Sequence, residues 1–290
     1  MQEIISKLRR YEIKIRKAIN TEMRGSYQSI FKGSGLEFDD VREYQYGDDV
    51  RRIDWNVSAK GQGTFIKVFK EEKEQTIFFL LDVSSSMEIG QRHYNKLQLA
   101  KEIAGVLMLS AIKENSDVGL ICFSDQKERY MKPKKDRKYG YEMLIKLFKL
   151  VPQSFGTNLS NMIRFAVNII KRKSVVIMIS DFIDENYLLH LQGLAQKHDL
   201  VLVHVYDERE TRLPRLGIIP LYDRESQKTI WYNTSSSRFQ KALRERFAKR
   251  QELLGQVANK MNINYLSVHT EEDFVPKLIR LFKVRNVKSK

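Results

Sequence analysis

Three segments of the chain place acidic or hydroxyl side chains next to apolar runs. Asp82-Val83-Ser84-Ser85-Ser86 directly follows the apolar run Ile77 to Leu81, and Ser180-Asp181 follows a second apolar run. Gly156-Thr157-Asn158 stands just before a helical pattern that starts at Leu159. The carboxyl ends of parallel strands meet at one edge of a sheet, where ligands bind. We therefore expect these segments to converge.

Five residues of these segments offer oxygen ligands only: Asp82, Ser84, Ser86, Thr157 and Asp181. Carboxylate and hydroxyl oxygens suit hard cations. We predict that the five side chains hold Mg²⁺, with Mn²⁺ or Ca²⁺ as alternatives. Because only two of the ligands are charged, the ion would keep an open position. Its natural occupant is an Asp or Glu carboxylate of another molecule.

A simpler interpretation of the first segment is a serine-rich loop that caps the helix after it. Its place at the end of a buried strand favours the metal site instead. So does the order in which Thr157 and Asp181 follow at further element ends.

The elements that must position these residues alternate between strand and helix from Thr76 onward. Ile77 to Leu81 is an uninterrupted apolar run, which is typical of a central strand buried on both faces. Strands that alternate with helices of this length predict an α/β fold with a mostly parallel sheet and helices on both faces.

Changes in residue composition and in the hydrophobic pattern divide the chain into three parts. Residues 1–24 predict an amphipathic helix, and its three glutamates favour docking on the protein over a membrane surface. Residues 25–75 contain glycines and short alternating runs, which predict a small β-rich subdomain. Residues 76–290 form the α/β domain, with a hairpin insertion near residues 214–232.

The constellation Asp82-x-Ser84-x-Ser86, Thr157 and Asp181 resembles the metal-ion-dependent adhesion site of von Willebrand factor type A domains. The order of strands and helices is similar to that Rossmann-like fold as well. The resemblance implies metal-dependent protein binding. Many type A domains have Gly after the last Asp, whereas this chain has Phe182.

An upstream signature resembles one bacterial subgroup, the domain-of-unknown-function family fifty-eight. Its residues are Gly33 to Phe38, Arg42-Glu43-Tyr44, Gly47 to Trp55 and Ser58-Ala59-Lys60. Members of that family often accompany MoxR-type AAA+ ATPases, so the resemblance implies such a partner and chaperone-like assembly or maturation of other proteins. Longer members carry membrane helices, which we do not find in this sequence.

The acids and arginines between Asp48 and Asp54 alternate in sign, and Trp55 follows them. One interpretation is an internal ion-pair lattice that pins the β-rich subdomain to the sheet, with Trp55 as an apolar anchor. The alternative is a contact surface for a partner. The residue types favour the structural interpretation.

The composition excludes several classes of protein. The chain has 290 residues, 42% of them hydrophobic, and a single cysteine, Cys122, which rules out an internal disulfide framework. We find no apolar stretch of the roughly 20 residues that a membrane helix needs, and no signal peptide. We therefore expect a cytoplasmic protein.

The net charge of +15 favours acidic partners, such as nucleic acid, anionic lipid or an acidic protein surface. Glu is interleaved in most of the basic clusters, so solvated helix faces explain them as well. We predict a binding module without catalytic residues. The alternatives are nucleic-acid binding through the basic surface and a metal-dependent hydrolase, for which no general base is evident.

Overall fold

The computed structural model describes residues 2–22, 33–59, 63–73, 75–91, 94–223 and 227–288. It divides the chain into two compact units, residues 32–75 and residues 1–31 together with 76–290. The smaller unit is thus inserted into the larger one. The predicted boundary at residues 24 and 25 and the signature residue Lys60 lie outside the described residues.

The strands and helices follow one another along the described residues. The strands are β1 (Gly33–Glu43), β2 (Phe65–Lys73), β3 (Thr76–Asp82), β4 (Gly90–Gln91), β5 (Tyr94–Asn95), β6 (Asp117–Phe123), β7 (Lys127–Lys134), β8 (Val175–Ser180), β9 (Asp199–Tyr206), β10 (Ile218–Asp223), β11 (Lys228–Asn233) and β12 (Asn264–His269). The helices are α1 (Gln2–Glu22), α2 (Trp55–Ser58), α3 (Lys96–Lys113), α4 (Arg137–Phe148), α5 (Leu159–Ile169), α6 (Leu188–Lys197), α7 (Ser237–Lys260) and α8 (Phe274–Lys288).

The larger unit is built on a six-stranded sheet with the order β12-β9-β8-β3-β6-β7. All neighbouring strands are parallel except β7, which pairs antiparallel with β6 at one edge. The predicted α/β fold with a mostly parallel sheet is confirmed. The sequence analysis did not predict strand β7, because it assigned these residues only to a basic cluster.

The side chains of β3 alternate between two hydrophobic cores, one on each face of the sheet. Phe79 and Leu81 belong to the core that also contains residues of α1, α3, α4 and α8. Phe78 and Leu80 belong to the core that contains residues of α5, α6 and α7. Successive residues of a strand point to opposite faces, so β3 is buried on both sides. Its carboxyl end is therefore fixed firmly in the centre of the sheet.

The smaller unit consists of β1 and β2 as an antiparallel pair, with the signature turn between them. The Arg42 guanidinium donates to both carboxylate oxygens of Asp48, at 2.8 and 2.7 Å. Asp54 caps α2 by accepting from the backbone N–H groups of Asn56 and Val57. The signature acids thus stabilise local turns.

The Trp55 ring is 71% exposed, and the side chains of Arg51 and Arg52 are exposed as well. Asp48 and Asp54 are engaged by their own segment. The lattice that would pin this unit to the sheet lies between the two units and stays a prediction.

Helix α1 docks on the larger unit, as its glutamates indicated. Leu8 and Ile15 are fully buried in the core that contains residues of α3 and α8. The Lys7 ammonium donates to Glu102 at 2.7 Å, and the Tyr11 ring contacts Phe274 edge-on at 5.0 Å. The apolar side of this helix is thus part of the fold.

The Leu8→Ala substitution should lower the free energy of unfolding by about 2–5 kcal/mol, because it leaves a cavity in a fully packed core. Urea denaturation measures this change. The matched control is Ile13→Ala on the same helix, where the side chain is 46% exposed and the expected change is within about 0.5 kcal/mol. Equal effects of the two variants would contradict the docking of α1.

Candidate functional site

The carboxylate of Asp82 ends β3 and is buried. Its Oδ1 accepts from the backbone N–H of Ser84 at 3.0 Å and from the Ser84 hydroxyl at 2.6 Å. The Ser84 and Ser86 hydroxyl oxygens lie 3.1 Å apart. Ser84 holds the N-cap position of the short helical turn that follows, but its side chain makes no capping hydrogen bond. The simple capping interpretation is therefore wrong.

Strand β8 lies beside β3 and brings Asp181 to the same edge of the sheet. The hydroxyl of Ser180, the last residue of β8, donates to Asp82 Oδ2 at 2.7 Å. Asp181 Oδ1 accepts from the backbone N–H of Ile183 at 3.0 Å, and the nearby Ser86 hydroxyl helps to lower the pKa of the Asp181 carboxyl. Ser180 thus links the two acids, because it bonds to Asp82 and directly precedes Asp181 in the chain.

Thr157 is half-buried in the loop that leads into α5. Two residues before it, the Phe155 carbonyl accepts from the backbone N–H and the hydroxyl of Ser85, at 3.1 and 2.7 Å. The next residue, Asn158, donates its backbone N–H to the Ser124 carbonyl and caps α5 with its side chain. The Thr157 loop is therefore attached to the serine loop. Asp82, Ser84 and Ser86 form one hydrogen-bonded group, and Ser180 connects this group to Asp181.

A family model matches most of the chain. Residues 40–253 match the family model described as "Protein of unknown function DUF58". The chain belongs to this family. The "Uncharacterized protein Rv1480" of Mycobacterium tuberculosis is 23% identical to the DUF58 chain over 290 residues, which covers 98% of this chain and 90% of the relative.

Among solved structures, the conserved hypothetical protein BatB from Bacteroides thetaiotaomicron is similar, with a TM-score of 0.48 and 14% identity over 73% of this chain and 98% of that one. The vWF domain of the type V pili tip protein Mfa5 from Porphyromonas gingivalis gives a TM-score of 0.37 and 15% identity, over 74% and 94%. In the described part of the DUF58 chain, none of the helices has the length and apolar character to cross a membrane.

A buried lysine stands directly behind the candidate site. The Lys96 ammonium, at the start of α3, is fully buried and donates to Asp181 Oδ2 at 2.6 Å and to Glu210 Oε1 at 2.7 Å. Arg250 on α7 donates to Glu210 Oε2 at 2.9 Å and to the Asp181 backbone carbonyl at 3.3 Å. Two cations and two carboxylates therefore form a closed network on one side of Asp181.

The two acids of the site have different electrostatic surroundings. Burial and the negative charge of Asp181 raise the pKa of Asp82 to about 7, although hydrogen bonds from Ser84 and Ser180 oppose this. Burial would also raise the pKa of Asp181, but the Lys96 ammonium and several hydrogen bonds bring it below its usual value. Asp181 thus has an internal cation, whereas the described residues give Asp82 only neutral donors.

The donor set fits a hard divalent cation. Because the Ser84 hydroxyl donates to Asp82, the Ser86 hydroxyl can donate to Ser84. The two hydroxyl oxygens lie 3.1 Å apart, close to the roughly 3 Å between adjacent ligands of an octahedral Mg²⁺ with bonds of about 2.1 Å. No three His, Cys, Asp or Glu side chains cluster as a metal site within the described residues. A cation here would depend on hydroxyl ligands.

The sequence analysis did not identify Ser180, Lys96, Glu210 or Arg250. Ser180 could have been found, because it directly precedes Asp181 at the end of an apolar strand. Lys96 carried no such signal, since a lysine at the start of a helix is usually exposed. Its burial depends on carboxylates that are 85 and 114 residues away in the sequence.

Replacing Lys96 with Met should lower the free energy of unfolding by about 3–5 kcal/mol, because it leaves buried carboxylates without their cation. The control is Lys101→Met on the same helix. Lys101 is also buried, but its ammonium donates only to the Leu150 carbonyl, at 3.0 Å. Its loss should cost about 1 kcal/mol. Urea denaturation in a chelator compares the two, and a smaller loss for Lys96→Met than for Lys101→Met would contradict this role.

Proposed function

We propose that the chain is a protein-interaction module whose partner presents an Asp or Glu carboxylate to a divalent cation. Asp82, Ser84, Ser86, Thr157 and Asp181 would hold that cation, with Mg²⁺ as the first choice and Mn²⁺ or Ca²⁺ as alternatives. The observation that supports this most is the meeting of Asp82 and Asp181 around the Ser84–Ser86 oxygen pair at one edge of the sheet.

The surrounding residues support recognition of an acid. When bound, the cation would supply an open coordination position for a carboxylate of the partner. Lys96 already neutralises Asp181, and the serine ligands are uncharged, so the site adds little negative charge of its own. A partner carboxylate would therefore meet weak repulsion from the residues around the ion.

We also propose that the module is not an enzyme and works in the cytoplasm. The hydrolase alternative needs a general base at the site, and His204, which packs against Phe182 next to Asp181, does not offer one. Burial lowers the pKa of His204 to about 3, and its Nδ1 contacts the Tyr265 hydroxyl rather than a carboxylate of the site. The resemblance of the upstream signature supports a MoxR-type AAA+ ATPase in the partner system, and a role in chaperone-like assembly or maturation.

Asp82→Asn should weaken binding of Mg²⁺ and Mn²⁺ at least tenfold, because it removes one of only two charged ligands. Isothermal titration with each metal ion measures this change, and circular dichroism checks that the fold is kept. The control is Asp136→Asn, which removes the same charge from the N-cap of α4, where Asn caps equally well. Equal metal affinity in the two variants would rule out the proposed ligand set.

Capture of partners from native lysate tests the function itself. The proposal is supported by proteins that bind both the wild type and Asp136→Asn in Mg²⁺. These proteins should be released from both by a chelator, and they should not bind Asp82→Asn under either condition. Partners retained by Asp82→Asn in the chelator would contradict it. Recovery of nucleic acid in place of protein would favour the nucleic-acid alternative.

Thr157→Ala should reduce metal affinity less than Asp82→Asn does, by a few-fold, because water can replace one neutral ligand. The same titration measures this change. The expected order of affinities is wild type, Thr157→Ala and then Asp82→Asn. Loss of the folded state in Thr157→Ala would instead make Thr157 a structural residue of its loop.

A further inference from the structure

The hairpin formed by β10 and β11 has a solvent-exposed apolar face. In its register, Pro220 pairs with Trp231 and Ile219 pairs with Tyr232, so alternate pairs point to opposite sides. Ile218, Pro220, Tyr222 and Trp231 therefore share one face. The Ile218, Tyr222 and Trp231 side chains are 67%, 61% and 65% exposed.

The other face of the hairpin is turned towards the protein. The Tyr232 ring contacts Phe239 of α7, with ring centroids 5.3 Å apart, and Ile219 and Leu221 are half-buried. Apolar residues thus line both sides of this ribbon, but only one side packs on the fold in the part that the structure describes.

Several hydrogen bonds fix the base of the hairpin. The backbone N–H of Leu216 donates to the Thr234 hydroxyl at 3.0 Å, and the N–H of Thr234 donates to the Gly217 carbonyl at 2.8 Å. The Gln240 amide group of α7 donates to the Leu213 and Thr234 carbonyls, at 2.7 and 2.8 Å. The open face is therefore held in a defined orientation relative to α7.

The segment around the hairpin is strongly basic. Residues 211–250 contain ten Lys and Arg against three Asp and Glu, a net charge of +7, whereas the whole chain carries +15. Arg212, Arg215, Lys228 and Arg238 are exposed, and none of them has an ion-pair partner among the described residues. The exposed apolar face thus belongs to a segment with several exposed cations that no described carboxylate pairs with.

We propose that this hairpin face docks on the surface of an anionic lipid bilayer. Trp and Tyr side chains are favoured at the level of the lipid headgroups, because their rings are apolar and their N–H and O–H groups are polar. The exposed arginines and lysines would meet the anionic headgroups. Ile218 and Pro220 would enter the outermost part of the acyl region.

Other partners match the face less well. Nucleic acid would satisfy the charge but would leave the Ile218, Pro220 and Trp231 face in water. A standard protein interface uses about 20 to 30 residues on each side, and this ribbon offers four apolar side chains. A lipid surface needs no matching shape, so a small apolar face and a diffuse charge are enough.

The two tryptophans of the chain allow a direct test, since Trp55→Phe leaves Trp231 as the only indole. This variant is mixed, in a chelator, with vesicles of phosphatidylcholine alone or with 30% phosphatidylglycerol added. The expected result is a blue shift of Trp231 emission and roughly tenfold tighter binding to the anionic vesicles. The chelator separates this test from the proposed metal-dependent function.

Vesicle sedimentation then tests the residues one group at a time. Trp231→Ser should lose most of the binding, while Leu189→Ser, which changes a 75% exposed leucine on α6, should not. Arg212→Gln with Arg215→Gln should weaken binding to anionic vesicles, whereas the exposed pair Lys171→Gln and Arg172→Gln should have little effect.

Three results would overturn the proposal. The first is unchanged Trp231 emission on anionic vesicles. The second is equal vesicle binding by Trp231→Ser and Leu189→Ser. The third is a dimer in which Trp231 is protected from acrylamide without lipid, which would assign the face to a second copy of this chain.

Discussion

The repulsion between two buried carboxylates is the constraint around which the edge of the sheet is organised. Asp82 ends β3 and Asp181 directly follows the adjacent parallel strand β8, and the fold excludes water from both. Charges in such a place persist only when they are paired or coordinated. The Lys96 ammonium pairs with Asp181. Together with Glu210 and Arg250, it forms a network that joins α3, β8 and α7. Among the described residues, Asp82 has only neutral hydrogen-bond donors, and its pKa is raised to about 7.

Much of this edge could be predicted from the sequence. The apolar runs mark the strands, and residues that follow the carboxyl ends of parallel strands lie at the same edge of the sheet. Once Ile77 to Leu81 is taken as a central strand, the acid that follows it must stand at the sheet edge. Asp181 follows by the same argument, since β8 neighbours β3. The position of the Thr157 loop depends in addition on the hydrogen bonds that Ser85 donates to the Phe155 carbonyl. No local sequence pattern predicts these bonds.

The features that escaped prediction all depend on distant partners or on weak local patterns. Strand β7 carries Lys and Pro133 because it is an edge strand, and those residues hide the usual alternation. Lys96 resembles a surface residue until Asp181 and Glu210 enclose it.

The residue after Asp181 gives this edge an unusual stiffness. Phe182 has a φ of +54°, a left-handed conformation that glycine adopts freely and that costs other residues of order 1–3 kcal/mol. Its ring is buried against Tyr187 and His204, so the aromatic contacts hold the backbone in that conformation. A glycine here would reach the same turn with a pliable chain. The phenylalanine instead couples the backbone direction of the Asp181 loop to the packing of the core. A shift of the core side chains should therefore also shift this loop.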